Sequence, residues 1–253
     1  MFNKAIVRKV GPEIKNGLTT QSSGPPQWKK ALMQHDNYCN TLRSLGLELF
    51  VLDSDPKLAD GVFVEDTAIV TKEQAVITRP GAESRRGETK SVKKAIEKFY
   101  PDLKIISEPG VIDGGDVLQV DKDIFVGLTS RTNQEGVLQL SGFLSPFGYR
   151  VNPVTISGML HLKSGISYLG NDTILVVKEL ADIELFSAYK KIVVPENEEY
   201  AANSINVNGK ILIPKGYKKT RDMLDKHGFS VIELDVSEFK KVDGGLSCLS
   251  VRF

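Results

Sequence analysis

Apolar residues along this chain fall into short paired runs split by polar turns. Thr67-Ala68-Ile69-Val70 and Ala75-Val76-Ile77-Thr78 flank Thr71-Lys72-Glu73-Gln74. Val117-Leu118-Gln119-Val120 and Ile124-Phe125-Val126-Gly127 flank Asp121-Lys122-Asp123. Ile166-Ser167-Tyr168-Leu169 and Thr173-Ile174-Leu175-Val176-Val177 flank Gly170-Asn171-Asp172. Ile205-Asn206-Val207 and Lys210-Ile211-Leu212-Ile213 flank Asn208-Gly209. Short runs separated by turn residues read as β-hairpins, and Asn-Gly suits a type I′ turn, which needs positive φ at both positions.

Each hairpin precedes a segment with helical spacing. Val92, Ala95, Ile96 and Phe99 form an i, i+3, i+4, i+7 stripe after the first. Gly136–Leu144 follows the second, Leu180–Tyr189 the third, and a segment around Arg221–His227 the fourth. A strand is expected after each: Leu103–Ser107, Tyr149–Val154, Lys191–Val194 and Phe229–Leu234. The unit is hairpin, helix, strand, recurring at the period of ring and array architectures. A fifth copy assembles from the two ends. Leu246–Val251 and Asn3–Arg8 make its hairpin, Trp28–Leu45 its helix and Leu47–Leu52 its strand. That pairing closes a ring and removes exposed sheet edges. The alternative is an ordinary α/β domain with coincidental hairpins; the tripeptide Asp-Gly-Gly, present at 113–115 and again at 243–245, favours the ring. No linker divides the chain, so 1–253 is read as one domain. Gly17–Gln27 is a polar loop long enough to cover a site.

Composition narrows the function. The chain has 253 residues, with 33 Lys+Arg against 32 Asp+Glu, a formal charge of +1. So even a balance argues against nucleic acid or an anionic membrane as partner. No apolar run reaches the ~18 residues of a membrane span, and Met1–Arg8 does not read as a signal peptide. Two cysteines without a CxxC spacing fit a reducing, cytoplasmic setting.

If each unit points its first strand at the ring centre, the chemistry-bearing residues converge: Asp60 to Asp66, Asp113 to Asp116, His161 to Lys163, and Cys248. A Cys, a His and a carboxylate at turns form the inventory of a thiol nucleophile, its acid/base partner and an orienter. The glycines beside them let backbone crowd a ligand. Carboxylates in apolar surroundings need a partner. A bound guanidinium supplies one, in planar two-point geometry. The plainer reading is that Asp60, Glu65 and Asp66 cap turns or pair with Arg85, Arg86 or Arg131. Those arginines in turn suit a carboxylate or the surface. An amino acid carrying a guanidinium satisfies both sets.

Six segments, in order, resemble the dimethylarginine dimethylaminohydrolase family of the guanidine-modifying (pentein) superfamily. They are Val62–Thr67, Ile77–Ala82, Asp113–Leu118, Arg131–Asn133, His161–Ser164 and Val242–Cys248. The resemblance implies a five-bladed α/β propeller of ββαβ modules with pseudo-five-fold symmetry. It also implies hydrolysis of methylated L-arginine to citrulline and an amine through a Cys adduct, without metal or cofactor. It makes Cys248 the nucleophile, His161 the general acid/base and Asp113 its orienter. Asp66 and Glu65 become guanidinium-side acids, and Arg85 and Arg131 α-carboxylate anchors. Leu18, Asp60 and Val242 hold the α-amino end, Leu18 and Val242 through backbone carbonyls. The expected partner is a small molecule, with a homodimer left open. An arginine deiminase, an amidinotransferase and a non-catalytic guanidine-binding protein are the rivals.

Elsewhere the plain reading prevails. Cys39 and His35 share an apolar helical face with Trp28, Leu32 and Leu42, and no further ligand is spaced for zinc. His227 sits at a helix end before Gly228, where the helix dipole favours it. Gly114-Gly115 lacks the spacing of a phosphate loop.

Overall fold

The computed structural model describes residues 1–253 and contains five three-stranded sheets. The first joins β1 (Lys4–Arg8) and β2 (Glu48–Leu52) to the last strand, β15 (Val251–Arg252). The others are β3 (Ala68–Val70), β4 (Ala75–Ile77) and β5 (Lys104–Ile105); β6 (Val117–Val120), β7 (Asp123–Leu128) and β8 (Arg150–Thr155); β9 (Ile166–Gly170), β10 (Thr173–Val176) and β11 (Lys190–Val193); and β12 (Ile205–Val207), β13 (Lys210–Pro214) and β14 (Ser230–Leu234). In every sheet the central strand is antiparallel to one neighbour and parallel to the other. A parallel partner needs a crossover. The chain supplies α1 (Trp28–Ser44), α2 (Thr89–Ile96), α3 (Gln134–Leu144), the short α4 (Lys178–Ala181) and α5 (Lys218–Lys226). A further turn of helix, α6 (Ser237–Lys240), leads towards the last strand.

This is the expected five-module α/β propeller. The first and last strands pair with Ala5 opposite Arg252 and Ile6 opposite Val251. The hairpin at Asn208-Gly209 has φ of 52° and 88°, both positive as its turn requires. Helix α2 buries Val92, Ala95 and Ile96, and α3 buries Val137, Leu140 and Leu144, so the helical stripes face the sheets. Asn133 caps α3, its side chain accepting from the Gly136 amide at 2.9 Å.

Three expectations shift. The closing arm is shorter than Leu246–Val251, because Ser247–Leu249 is a 3-10 turn and the strand begins at Val251. The expected helix Leu180–Tyr189 is instead α4 followed by a 3-10 turn at Glu184–Phe186; Ile183, at φ −66° and ψ 124°, is extended and breaks the helix. Phe99 lies beyond α2, where its ring packs against Phe50 and Phe253.

A 3-10 turn stands just before the innermost strand of every module: Val64–Thr67, Gly114–Asp116, Leu162–Ser164, Glu199–Ala202 and Ser247–Leu249. Turns of neighbouring modules touch one another around the axis. The candidate chemistry is therefore concentrated on equivalent turns rather than scattered over loops. No helix is long and apolar enough to cross a membrane.

Asn208 stitches the last modules to the first. Its side chain donates to the carbonyls of Phe2 and Leu45 at 2.9 and 3.0 Å, and accepts from the Phe2 amide at 2.8 Å. Asn208→Ala loses three hydrogen bonds and strains a left-handed residue, and should cost about 2–3 kcal/mol in urea unfolding. Asn208→Gly keeps the backbone conformation and should cost less.

Candidate active site

Cys248, His161 and Asp66 meet at one end of the ring axis, in a cavity of about 190 Å³. Leu18, Asp60, Arg85, Arg131 and Val242 complete most of its wall, with Thr19, Thr20, Phe63 and Asp243. Asp113 lies behind the wall and is fully buried. Its Oδ2 is 3.1 Å from His161 Nε2, and its Oδ1 accepts from the Gly81 amide at 2.9 Å. One carboxylate thus holds both the imidazole and the neighbouring loop.

Both Asp-Gly-Gly tripeptides have a steric reason. A methyl group on Gly115 would sit 2.6 Å from His161 Nδ1, and one on Gly114 would strike the Glu65 carbonyl. In the second copy, added methyls would strike the Phe63 ring at Gly244 and the Asn203 amide at Gly245. The glycines make room for residues of neighbouring modules rather than for a ligand, which refines the expectation from sequence. Asp243 does not repeat the role of Asp113. With φ at 56°, it accepts hydrogen bonds from the Thr20 amide at 2.6 Å and from the Gln21 side chain at 2.8 Å. It thereby fastens the 17–27 loop over the cavity.

The charges are arranged in opposed pairs. Asp66 Oδ2 meets Arg85 Nη1 at 2.6 Å, and its Oδ1 accepts from the Gly115 amide at 2.7 Å. Burial alone would raise Asp66, but Arg85, His161 and these hydrogen bonds bring it down to about 2. Burial alone would also lower His161. The carboxylates of Asp66, Asp113 and Asp116 outweigh it and raise His161 to about 9. Cys248 goes the other way: burial, reinforced by Glu65 and Asp66, pushes the thiol up to about 12. These opposite shifts favour an imidazolium at His161 and a neutral thiol at Cys248 at neutral pH. Asp60 is raised by burial, and its Oδ1 accepts from the Leu18 amide at 3.0 Å.

Two expected contacts are altered. The carboxylate of Glu65 turns away from the cavity, onto Lys163 Nζ at 2.6 Å and Ser247 Oγ at 2.7 Å. Both of its oxygens are occupied, so it backs the turn that carries Cys248. Arg85 is largely committed as well. Besides Asp66, it donates to Glu88 at 3.1 and 2.8 Å and to the Phe63 carbonyl at 3.0 Å. The plainer reading of Asp66 and Arg85, an internal ion pair, holds in this state. Arg131 is different. Its guanidinium makes no hydrogen bond, its closest acid is Asp113 Oδ2 at 3.8 Å, and it faces the cavity. Arg86, by contrast, pairs at the surface with Glu83.

Comparison with known proteins agrees with this geometry. A family model described as N,N dimethylarginine dimethylhydrolase, eukaryotic, matches residues 19–251. N(G),N(G)-dimethylarginine dimethylaminohydrolase of Pseudomonas aeruginosa is 39% identical over 254 residues, covering 100% of both chains. The chain belongs to the dimethylarginine dimethylaminohydrolase family. The enzyme of that name from Streptomyces coelicolor is 38% identical over 252 residues, covering 98% of this chain and 96% of the other. Among solved structures, the Pseudomonas enzyme as a Cys-to-Ser variant complexed with citrulline superposes with a TM-score of 0.98, at 39% identity and full coverage of both chains. The N-terminal domain of a cyanobacterial arginine dihydrolase shares the fold, with a TM-score of 0.89 at 18% identity, covering 100% of this chain and 97% of that one.

Volume alone would have chosen another site for this family member. A larger cavity of about 1130 Å³ opens at the opposite end of the axis, but it reaches neither Cys248 nor His161. Glu65, Lys163 and Ser247 line it and stand between the two spaces. Donor atoms of Asp66, Asp113 and His161 come within 4.8 Å of one another, close enough to share a cation. With His161 raised to about 9, a proton takes that nitrogen at neutral pH, which favours proton transfer over metal ligation. His35, in α1, is pushed down to about 4 by burial and lies 3.6 Å from Cys39; the pair is core packing. Both cysteines are free.

His161 is raised from its ordinary 6.5, so its stabilising effect is complete below about 6.5 and lost as pH rises through about 9. Proton NMR of His161 should show a midpoint near 9. Asp66→Asn removes the foremost carboxylate raising it and should move that midpoint down.

Proposed function

We propose that the protein hydrolyses Nω-methylated L-arginines to L-citrulline and dimethylamine or methylamine through a covalent adduct on Cys248. The observation that carries this reading is the shared cavity: the Cys248 thiol and the His161 imidazole open onto one space, with carboxylates and the Arg131 guanidinium, which makes no hydrogen bond, on its walls. The family relation supports the same chemistry. The Pseudomonas relative has been solved as a Cys-to-Ser variant with citrulline, and another solved dimethylarginine dimethylaminohydrolase is a His-to-Gly adduct with S-methyl-L-thiocitrulline.

In this reading the substrate guanidinium lies against Asp66, and the α-carboxylate against Arg131, with Arg85 adding charge behind. Asp60 and the carbonyls of Leu18 and Val242 take the α-ammonium; no protein donor uses those two carbonyls. Glu65 acts through Ser247. The proposed partner is the small molecule alone, without nucleic acid or membrane. A homodimer is compatible with it, and the free thiols suit a reducing cytoplasm.

The steps follow from the charges. A neutral thiol attacks a resonance-stabilised cation poorly, and Cys248 is buried beside two carboxylates. A bound guanidinium offsets their charge and favours loss of the thiol proton to solvent. The thiolate adds to the guanidinium carbon, giving a neutral tetrahedral species. Imidazolium His161 gives its proton to the methylated nitrogen, the C–N bond breaks, and the amine departs. The cationic S-alkylthiouronium remains. Neutral His161 then takes a proton from water as the oxygen adds to the same carbon. Collapse expels the thiolate, the hydroxyl proton passes through solvent to the sulfur and restores the thiol, and citrulline is released with His161 protonated again. Asp113 keeps the imidazole in line throughout.

Colorimetric citrulline measurement with asymmetric dimethylarginine, monomethylarginine and arginine side by side tests the reading. Methylated substrates should give citrulline. Citrulline from arginine alone would make the protein an arginine deiminase, and none from any substrate would favour transfer or pure binding. Cys248→Ser should bind substrate and release no citrulline. His161→Asn should slow turnover by about 10²–10⁴-fold, the usual worth of general acid–base help. Activity should fall as pH rises through about 9, where His161 loses its proton.

A further inference from the structure

Four of the five axial turns carry residues singled out from sequence. The fourth, Glu199–Ala202, carries none, yet the residue that follows it makes a set of bonds that reaches both catalytic segments. Asn203 is buried. Its Oδ1 accepts from the Ser247 amide at 3.1 Å. Its Nδ2 donates to Ser247 Oγ at 3.0 Å and to the Lys163 carbonyl at 2.9 Å. Ser247 immediately precedes Cys248, and Lys163 follows His161 by two residues. Ser247 Oγ donates onward to Glu65 Oε2, and Lys163 Nζ donates to Glu65 Oε1. The bonds close a loop: Lys163 carbonyl, Asn203, Ser247, Glu65, Lys163 ammonium.

We infer that Asn203 is a positioning residue, whose amide sets the distance and orientation of Cys248 relative to His161 by gripping both of their turns at once. An amide suits this task because it donates and accepts from one rigid plane. Neither a carboxylate nor a hydroxyl offers two donors and an acceptor in that arrangement. Gly245 completes the fit. A methyl group there would overlap the Asn203 amide, and the Gly245 amide itself donates to Cys248 Sγ at 3.4 Å. Glu65, with both oxygens committed, anchors the far side. The nucleophile's turn is therefore held from the fourth module and the first, while His161 comes from the third.

The turnover arm of the test rests on the methylarginine reading; the alkylation arm needs only a thiol at Cys248. Asn203→Leu keeps approximate shape and removes all three bonds. Gly245→Ala keeps Asn203 and displaces its amide. For both, kcat should fall about 10- to 100-fold with KM changed less than about threefold, since a misplacement of ~1 Å costs rate on that scale. Iodoacetamide alkylation of Cys248, followed against pH with Cys248→Ser as blank, should shift its midpoint down in both variants as the turn relaxes and the thiol gains water. Unchanged kcat and midpoint would overturn the inference. So would a loss carried by KM, or a kcat loss with an unshifted alkylation profile. If Asn203→Leu does not fold, Gly245→Ala decides alone. A wild-type protein inactive on every methylarginine would sink the functional reading, and the alkylation profiles would still judge Asn203.

Discussion

The pairing of β15 with β1 is the constraint on which the site depends. Cys248 stands three residues before β15 and has no catalytic neighbour in sequence. It reaches His161, 87 positions earlier, only because the last strand is fastened antiparallel to the first and the ring closes. Closure also satisfies the edges that an open set of small sheets would expose. No single module could bury its own apolar face: the largest core cluster draws Ala5, Val7, Phe63, Val207, Leu212, Phe239 and Cys248 from several modules at once. Cys248 is therefore part of the packing that holds the ends together.

With geometry settled by closure, electrostatics decides reactivity. Burial opposes every charge in the site, and the sign of each shift depends on whether neighbours overcome it. For His161 three carboxylates, Asp66, Asp113 and Asp116, do; for Cys248, Glu65 and Asp66 add to the penalty. The result is a poised but unreactive pair, an acid with its proton and a nucleophile without its charge. A cation entering between Asp66 and the thiol reverses only the second half. In the proposed mechanism this ties activation of the thiol to occupancy of the cavity.

Much of this was legible before any coordinates. Short apolar runs split by turn residues located the hairpins, and Asn208-Gly209 named its own turn. The doubled Asp-Gly-Gly pointed to repetition. Cys248, His161 and Asp113 followed from residue chemistry joined to family resemblance. What stayed hidden had physical reasons. Side-chain direction within a turn cannot be read from spacing, so Glu65 and Asp66, adjacent in sequence, were given one task and face different spaces. Arg85 and Arg131 look alike on paper, but only contacts show that one is tied by several hydrogen bonds and the other by none, with a single carboxylate at 3.8 Å. Asn203 carries no charge and belongs to no motif, and its importance comes from two backbone groups far off in sequence. The α4 region was expected to be a longer helix because apolar residues at 180–189 nearly keep helical period; one extended residue, Ile183, was enough to break it.

That truncated third crossover has a wider implication. Where its siblings carry two or more turns of helix, this module has four residues and a 3-10 turn, and yet the imidazole it delivers is in place. The periphery supplies girth, while the axis supplies reactivity, and the two are mechanically insulated. Such insulation lets the outer shell drift, lengthen or erode with little penalty at the reacting atoms, in keeping with an architecture retained at 18% identity in the cyanobacterial domain. Evolvability, on this view, resides in the rim.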